Sequence, residues 1–376
     1  MKSFRKSFPF TAMVGQNELK IAYLVNIVNP DIGGLLISGP KGTGKSTIVY
    51  SVLELLPDYE AVSDCIFNCS ARPGDPLCTS CSEKLAENGK LQKTTKKMSV
   101  VPLPLSCTED RLIGTINVEK LLKTGEKIIQ PGILGDANNN ILYIDEVNLL
   151  PDHIVDDILD AAASHWNAIE REGISCSHPS RFILVGTMNP EEGELRPQIL
   201  DRFPLCVKLK SITDIDSRKE IIKRNILFEN DPGNLIQQFQ EESALYAQLI
   251  LDARELLQSV QFPDFFLTVI AGACSHLKVD GQRPDIVILK TAIAIAALEK
   301  RSETVADDIF LAGELTLCHR TRDGGLLPPA TSEEIKKAFA EMFDSIKPQE
   351  KVGLDKTTMY GIRAAKKEDS LTQKKN

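Results

Sequence analysis

Apolar positions in the first 210 residues fall into short continuous runs, separated by longer segments with helical spacing. The runs lie at 35–39, 98–103, 141–146, 181–189 and 205–210. Continuous apolar runs of this length predict buried strands, and strands that alternate with helices predict a parallel sheet covered on both faces. The sequence therefore predicts an α/β fold for residues 1–210.

Helical spacing continues without strand-like runs from about residue 215. Apolar residues recur three and four positions apart in SALYAQLILDARELLQSV, DFFLTVIAGACSHL, PDIVILKTAIAIAALEK and VADDIFLAGELTLCHR. This pattern predicts an all-helical second domain over 211–345. The remaining residues, 346–376, are polar and rich in lysine, so we expect a flexible tail.

Composition and charge narrow the possible functions. The chain has 376 residues, of which 42% are hydrophobic, enough for two or three domains with cores of their own. A net charge of -8 argues against a broad basic surface for nucleic acid. The segment MKSFRKSFPF lacks the apolar core of a signal peptide, and the apolar stretch 292–298 is too short to span a bilayer. We therefore expect a cytoplasmic protein.

The segment GPKGTGKS lies between a predicted strand and a predicted helix. It fits the pattern G-x-x-x-x-G-K-[ST], in which loop N–H groups and the positive end of a helix cradle phosphates. In this pattern Lys45 reaches the terminal phosphates and Ser46 binds Mg²⁺. The sequence thus predicts a nucleoside triphosphate site formed by Gly39, Pro40, Lys41, Gly42, Thr43, Gly44, Lys45, Ser46 and Thr47.

Two acidic residues, Asp145 and Glu146, follow the apolar run ILYI. At the carboxyl end of a strand, Asp145 is suited to bind the same Mg²⁺, and Glu146 is suited to polarise a water. The alternative is that both residues only end a strand and begin a loop. Their combination with the phosphate loop favours hydrolysis of the nucleotide over binding alone.

An asparagine and two arginines lie in GTMNPEEGELRPQILDRF. The side chain of Asn189 can orient the attacking water, or it can merely cap a turn. Because Lys45 and Mg²⁺ already serve their own subunit, we interpret one of the two arginines, Arg196 or Arg202, as an arginine finger for a neighbour's ATP. A surface Asp–Arg pair is the alternative. A finger supplied in trans implies a ring or another head-to-tail assembly.

Four segments together resemble the AAA+ ATPases, and among them the ATPase motor subunits of magnesium chelatase. They are GPKGTGKS, ILYIDEVNLL, EREGISCSHPSRFILVGTMNPEEGELRPQILDRF and DGQRPDI, and the resemblance covers roughly residues 8–320. It implies a P-loop NTPase core with a helical lid domain, ATP and Mg²⁺ as cofactors, and a ring that is usually hexameric. It also implies that Asn189 is sensor 1, Arg202 the arginine finger and Arg283 the sensor 2 arginine.

In the family that this chain resembles, the ATPase drives insertion of Mg²⁺ into protoporphyrin IX by a large porphyrin-binding subunit. A third subunit carries an integrin-like domain. The chain has no HExxH or D-x-S-x-S pattern, so the resemblance implies the motor rather than the metalating subunit. Two alternatives stay open. One is a MoxR-like or cobalt chelatase-type ATPase that remodels or matures a partner protein, and the other is a DNA-associated ATPase, which the acidic charge disfavours.

Two segments, 117–134 and 167–182, have extended runs about a turn and predict hairpins. By the resemblance, these hairpins are inserts that project from the ring toward partners or the central pore. The alternative is that they are ordinary surface hairpins.

A cysteine-rich insert is predicted at 61–97. CIFNCSARPGDPLCTSC has the spacing C-x3-C-x8-C-x2-C, formed by Cys65, Cys69, Cys78 and Cys81. Four thiolates from one short loop suit a tetrahedral Zn²⁺ that orders an insert with little core of its own. The alternatives are unligated thiols or a redox-sensitive pair. We therefore expect a structural zinc site here, and reduced thiols at the other five of the nine cysteines.

Overall fold

The computed structural model describes residues 7–116, 129–171, 174–193 and 195–345. The chain forms two compact units, the first ending at Gln248 and the second beginning at Leu249. The helices between 215 and 248, which the sequence assigns to the second domain, thus group with the first unit. The predicted tail at 346–376 lies outside the described residues.

Eleven strands occur in the described residues. They are β1 (Gly34–Ser38), β2 (Asp58–Val62), β3 (Lys93–Lys97), β4 (Val100–Leu103), β5 (Gly114–Ile116), β6 (Ile129–Pro131), β7 (Ile141–Ile144), β8 (Trp166–Arg171), β9 (Ile174–Pro179), β10 (Ile183–Met188) and β11 (Leu205–Lys208). The five strands predicted from apolar runs correspond to β1, β4, β7, β10 and β11.

The helices of the first unit are α1 (Asn17–Val28), α2 (Lys45–Ser51), α3 (Thr79–Asn88), α4 (Glu109–Ile113), α5 (Ile133–Ala137), α6 (Asp152–Ser164), α7 (Pro197–Leu200), α8 (Ile215–Asn230) and α9 (Pro232–Gln238). Helix α10 (Gln240–Leu256) follows. The second unit continues with α11 (Phe265–His276), α12 (Arg283–Leu298), α13 (Ala306–Leu317) and α14 (Ser332–Ser345).

Five strands form one parallel sheet in the order β11-β1-β10-β7-β4, which confirms the predicted α/β class. Every residue of β1, β7 and β10 is buried, as expected for strands covered on both faces. Strand β4 lies at one edge, with Pro102 opposite Tyr143 of β7. Because parallel strands end at the same edge, the loops that follow β1, β7 and β10 meet there.

Three antiparallel pairs lie outside this sheet: β2 with β3, β5 with β6, and β8 with β9. The hairpin predicted at 167–182 corresponds to β8 and β9, in which Trp166 lies opposite Pro179. Most of the hairpin predicted at 117–134 lies outside the described residues. The cysteine-rich insert lies between β2 and β3, which pair over their full length.

The core of the second unit is mostly aliphatic, with Phe266, Phe339 and Phe343 as its buried aromatic residues among those described. Phe266 of α11 contacts Phe343 of α14 edge to face, with ring centroids 5.8 Å apart. Gly313 in α13 allows α14 to approach, because a Cβ there would lie 2.7 Å from the ring of Phe339. No helix among the described residues is long and apolar enough to cross a membrane.

Candidate nucleotide-binding site

The phosphate loop between β1 and α2 has a conformation that depends on its glycines. Gly42 and Gly44 have φ values of 76° and 79°, in the left-handed region that glycine adopts without strain. A Cβ on Gly39 would lie 2.8 Å from Cβ of Leu209, so this glycine lets the loop pass close to the end of β11. These conformations are compatible with a loop whose backbone N–H groups bind a phosphate.

Lys45 is the first residue of α2, directly after this loop. Its Nζ donates to the carbonyl oxygens of Gly39, at 2.6 Å, and Pro40, at 2.8 Å. Partial burial lowers the pKa of Lys45, and the nearby carboxylate of Asp145 opposes this shift. The ammonium group is therefore held at the loop by acceptors that a phosphate can replace.

Asp145 lies at the centre of a hydrogen-bond network. Its Oδ1 accepts from Thr187 Oγ1 at 2.6 Å, from Tyr143 hydroxyl at 2.9 Å and from Ser46 Oγ at 3.4 Å. Burial raises the pKa of Tyr143, so this hydroxyl stays a donor at neutral pH. The network joins α2, β7 and β10 at the point where Ser46 and Asp145 can share a Mg²⁺.

Glu146 has a left-handed backbone conformation, with φ 55° and ψ 55°. Its N–H donates to Thr187 Oγ1 at 3.2 Å, so the fully buried Thr187 contacts both residues of the acidic pair. Sequence analysis missed Thr187 and Tyr143. The available signal was a hydroxyl two positions before Asn189, but its partners depend on how the strands pair.

Asn189 follows β10, which pairs with β7, the strand that leads to Asp145. Its Oδ1 accepts from the N–H of Glu191 at 3.3 Å, so it does cap the turn. Its Nδ2 is buried and has no hydrogen-bond partner among the residues that the structure describes. An unpaired buried donor costs about 1–3 kcal/mol, so this amide fits a water or phosphate oxygen that arrives with the nucleotide.

A second lysine of the phosphate loop, Lys41, forms an ion pair with Glu192. The hydrogen bond to Glu192 raises the pKa of Lys41, and the Lys41 side chain remains 68% exposed. The pair connects the phosphate loop to the segment that follows Asn189. The sequence assigns Lys41 to the loop but gives no sign of this contact.

A cavity of about 570 Å³ adjoins the phosphate loop. Its lining includes Gly42 and Thr47, the N-terminal residues Phe8 and Met13, and Ile222 of α8. This volume suits the base and sugar of a nucleotide. Sequence analysis missed the cavity walls, because neither the N-terminal segment nor α8 carries a recognisable motif.

The two arginines of the predicted finger segment pair with aspartates of α6. Arg202 Nη1 lies 2.8 Å from Asp160 Oδ1, and Arg196 Nη2 lies 2.7 Å from Asp152 Oδ1. The side chains of Arg202 and Arg196 are 41% and 47% exposed. In a single chain both arginines thus form surface pairs. Arg283 begins α12 in the second unit.

A phosphate loop, an acidic pair and an unpaired amide meet at one edge of a parallel sheet, and a helical unit follows, as in AAA+ ATPases. A protein of Methanocaldococcus jannaschii, described as a magnesium-chelatase subunit ChlI homolog, is 50% identical over 342 residues, or 91% of this chain and 92% of that protein. The chain belongs to the magnesium-chelatase subunit ChlI family, and it is an ATPase subunit of the AAA+ class.

Other comparisons agree. The family described as magnesium chelatase, subunit ChlI, matches residues 113–210, and the AAA lid domain matches 268–340. The ChlI subunit of Synechocystis sp. is 43% identical over 344 residues, or 91% of this chain and 96% of that protein. The crystal structure of a putative ATPase from Cytophaga hutchinsonii has a TM-score of 0.57 at 16% identity, covering 89% of this chain and 91% of that one, which supports the fold.

Membership of this family makes ATP and Mg²⁺ the cofactors of the site. ATP and Mg²⁺ need hydroxyl, carboxylate and amide groups at such a site. Ser46 supplies the hydroxyl, Asp145 the carboxylate and Asn189 the amide. The arrangement can therefore bind a triphosphate, hold its metal and position a water.

Proposed function

We propose that this chain is the ATP-hydrolysing motor of a magnesium chelatase-type complex, and that it drives insertion of Mg²⁺ into protoporphyrin IX by a partner subunit. The network that joins Asp145 and Glu146 to Thr187, beside an unpaired Asn189 amide, supports hydrolysis. The identity of the partner reaction is supported by relatives of similar length named as magnesium-chelatase subunits.

The catalytic roles follow from positions around the phosphate loop. Loop N–H groups and Lys45 bind the phosphates, and Lys45 exchanges its carbonyl acceptors for phosphate oxygens. Ser46 and Asp145 would hold Mg²⁺, which would supply positive charge to neutralise the phosphates. Glu146 accepts a proton from the attacking water, and the Asn189 amide orients that water.

We also propose that the chain assembles into a ring, as a hexamer, in which Arg202 contacts the ATP of the neighbouring subunit. Asp160, its partner in the single chain, is 75% exposed, and such surface pairs contribute only about 0–1 kcal/mol. Arg202 can therefore change partners at little cost. Arg196 is the second candidate for this contact, and Arg283 is proposed to act as the sensor 2 arginine of the lid.

The partners of the ring would be an integrin-domain chelatase subunit and a large porphyrin-binding subunit, and the proposed location is the cytoplasm. A structural Zn²⁺ at the four cysteines is a separate proposal. The MoxR-like or cobalt chelatase-type alternative is less favoured, because the similar relatives are named as magnesium-chelatase subunits.

Reconstitution tests the motor function. The purified chain is combined with the two candidate partner subunits, ATP, Mg²⁺ and protoporphyrin IX, and the fluorescence of the Mg²⁺ product is followed. We expect product only with the wild-type chain, and none with Glu146→Gln. Insertion of Co²⁺ but not Mg²⁺ would support the cobalt chelatase-type alternative, and ATP hydrolysis without any metal insertion would contradict the proposal.

A further inference from the structure

The insert between β2 and β3 folds around four cysteines that take no part in the ATP site. Each is a free thiol and at most 8% exposed, and the four Sγ atoms lie within 4.8 Å of one another. Cys65 and Cys69 follow β2, and Cys78 and Cys81 lie at the start of α3. Two separate parts of the insert thus bring their sulfurs to one point.

The distances between these sulfurs fit a shared metal ion. Four thiolates at about 2.3 Å from a tetrahedral Zn²⁺ lie about 3.8 Å from one another. The Sγ atoms of Cys65 and Cys78 are 3.9 Å apart. A disulfide requires about 2.05 Å, so this spacing favours coordination over a covalent bond.

The local backbone turns the sulfurs toward this point. Asp64 and Asn68, directly before Cys65 and Cys69, have φ values of 58° and 50°, so the chain bends sharply ahead of each cysteine. The N–H of Cys78 donates to Sγ of Cys69 at 3.2 Å. This hydrogen bond stabilises a thiolate, the form that binds metal.

Helix α3 buries little of its own surface. Cys81 is its single buried residue, and even Leu85 is 40% exposed. Besides the cysteines, the buried part of this apolar cluster consists of Val62, Phe67 and Ile169, and the residues packed around it are only partly buried. Such a small core cannot by itself offset the entropy lost when the insert becomes ordered.

We propose that Cys65, Cys69, Cys78 and Cys81 bind one structural Zn²⁺, which fixes the insert to the β8–β9 hairpin and to the turn before β7.

The turn between the first two cysteines makes the contacts that this role requires. Phe67 stacks on His178 of β9, with ring centroids 4.1 Å apart and planes 11° from parallel. Asn138 and Asn139, just before β7, donate to the carbonyl oxygens of Phe67 and Asn68, each at 2.9 Å. An ion that holds both cysteines therefore also holds the turn against β7, the strand that leads to the acidic pair.

Metal analysis of the full chain is the first test. Protein purified under reducing conditions without chelators is expected to contain one zinc per chain. The double variant Cys78→Ser/Cys81→Ser is expected to lose this zinc. Cys176→Ser is the matched control, because this half-buried thiol packs against the same cluster but is not one of the four, and its zinc content should equal that of the wild type.

Two further measurements separate zinc loss from general misfolding. Wild-type protein loaded with Co²⁺ should show the visible absorption of a tetrahedral four-thiolate site. Releasing zinc from wild-type protein with a mercurial should increase hydrogen exchange in 61–97 and 166–171, while affinity for ATP changes less than about twofold. This outcome would not depend on the motor function.

Several results would overturn the proposal. They are wild-type protein without zinc, iron in place of zinc, mass spectrometry that finds disulfides among the four cysteines, or hydrogen exchange in the insert that does not respond to zinc release. Failure of metal insertion into porphyrin would leave the zinc result unaffected.

Discussion

Thr187 is the residue that connects the strand of the acidic pair with the strand of Asn189. Its single hydroxyl donates to Asp145 and accepts from the N–H of Glu146. Removing it leaves the carboxylate short of one donor and releases the left-handed turn at Glu146. Because Thr187 is fully buried and its hydroxyl already contacts both acidic residues, its role is to position them.

The variant Thr187→Val tests this role. A hydrogen bond to a charged group contributes about 1.5–3 kcal/mol, so we expect kcat to fall on the order of tenfold or more, with a higher Mg²⁺ requirement. KM for ATP should change little. Thr187→Ser retains the hydroxyl and is expected to restore most of the activity. Equal losses in both variants would indicate a packing role instead.

Lys45 and Glu146 should separate binding from turnover. Lys45→Ala is expected to abolish nucleotide binding, because the ammonium contacts ground-state phosphates. Glu146→Gln is expected to retain binding and stop hydrolysis, because the carboxylate acts on the water. Equilibrium binding of a fluorescent ATP analogue and a phosphate-release assay measure the two effects. Hydrolysis by Glu146→Gln at the wild-type rate would contradict its catalytic role.

Residues within motifs were predictable from the sequence, whereas their supporting contacts were not. GPKGTGKS fixes the identity of Lys45 and Ser46, since only a glycine-rich turn before a helix forms a phosphate cradle. Thr187 and Glu192 are ordinary residues in sequence. Thr187 gains its role because β10 pairs with β7, and Glu192 gains its role because its segment returns to Lys41. Neither contact can be read from the residues that lie next to Thr187 or Glu192 in the sequence.

At the scale of elements, α6 presents a row of aspartates to solvent. Asp152 and Asp160, both exposed, lie eight positions apart, which is slightly more than two turns, and each pairs with one arginine of the following segment. The helix thus holds Arg196 and Arg202 at the surface through exposed ion pairs. Exposed ion pairs of this kind break easily. An arginine that contacts a neighbouring subunit must be able to leave its partner in this way.

Mixing inactive variants tests whether Arg202 acts in trans. Arg202→Ala chains should bind ATP and assemble, yet hydrolyse slowly, since loss of a finger costs on the order of 10³-fold or more. Mixed with Lys45→Ala chains, they should regain activity, because some interfaces then join an intact phosphate loop to an intact arginine.

The matched control is a mixture of Lys45→Ala and Glu146→Gln. Both residues belong to one chain's site, so no interface in that mixture is complete and no activity should return. If the Arg202→Ala mixture also stays inactive while co-assembly is demonstrated by native mass spectrometry, Arg202 does not act in trans.

At the scale of the whole molecule, the end of the first unit differs from the boundary that periodicity suggests. Helical spacing is the same before and after residue 248, so the pattern cannot tell which unit a helix joins. Contacts with the N-terminal segment decide it. Arg224 donates to the carbonyl of Ala12 at 2.9 Å, and the hydroxyls of Thr11 and Ser243 are 3.1 Å apart.

Ala12 and Arg224 line the cavity beside the phosphate loop, so nucleotide should stabilise the first unit. Binding at a ligand concentration of 100 times Kd adds about 2.7 kcal/mol to the free energy of unfolding. We expect ATP with Mg²⁺ to raise the melting temperature of the wild type by several degrees, measured by calorimetry. Lys45→Ala should show no such increase, and an equal increase in this variant would place the nucleotide elsewhere.

Strand β4 also limits how copies of the chain can aggregate. An open sheet edge can template pairing with a strand of another molecule, which is a common route to insoluble fibrils. Pro102 lies in this edge strand and has no N–H to donate, so it interrupts the row of donors that an incoming strand would need. At this edge, a strand from another copy would therefore meet an interrupted row of donors, which disfavours amyloid-like extension of the sheet.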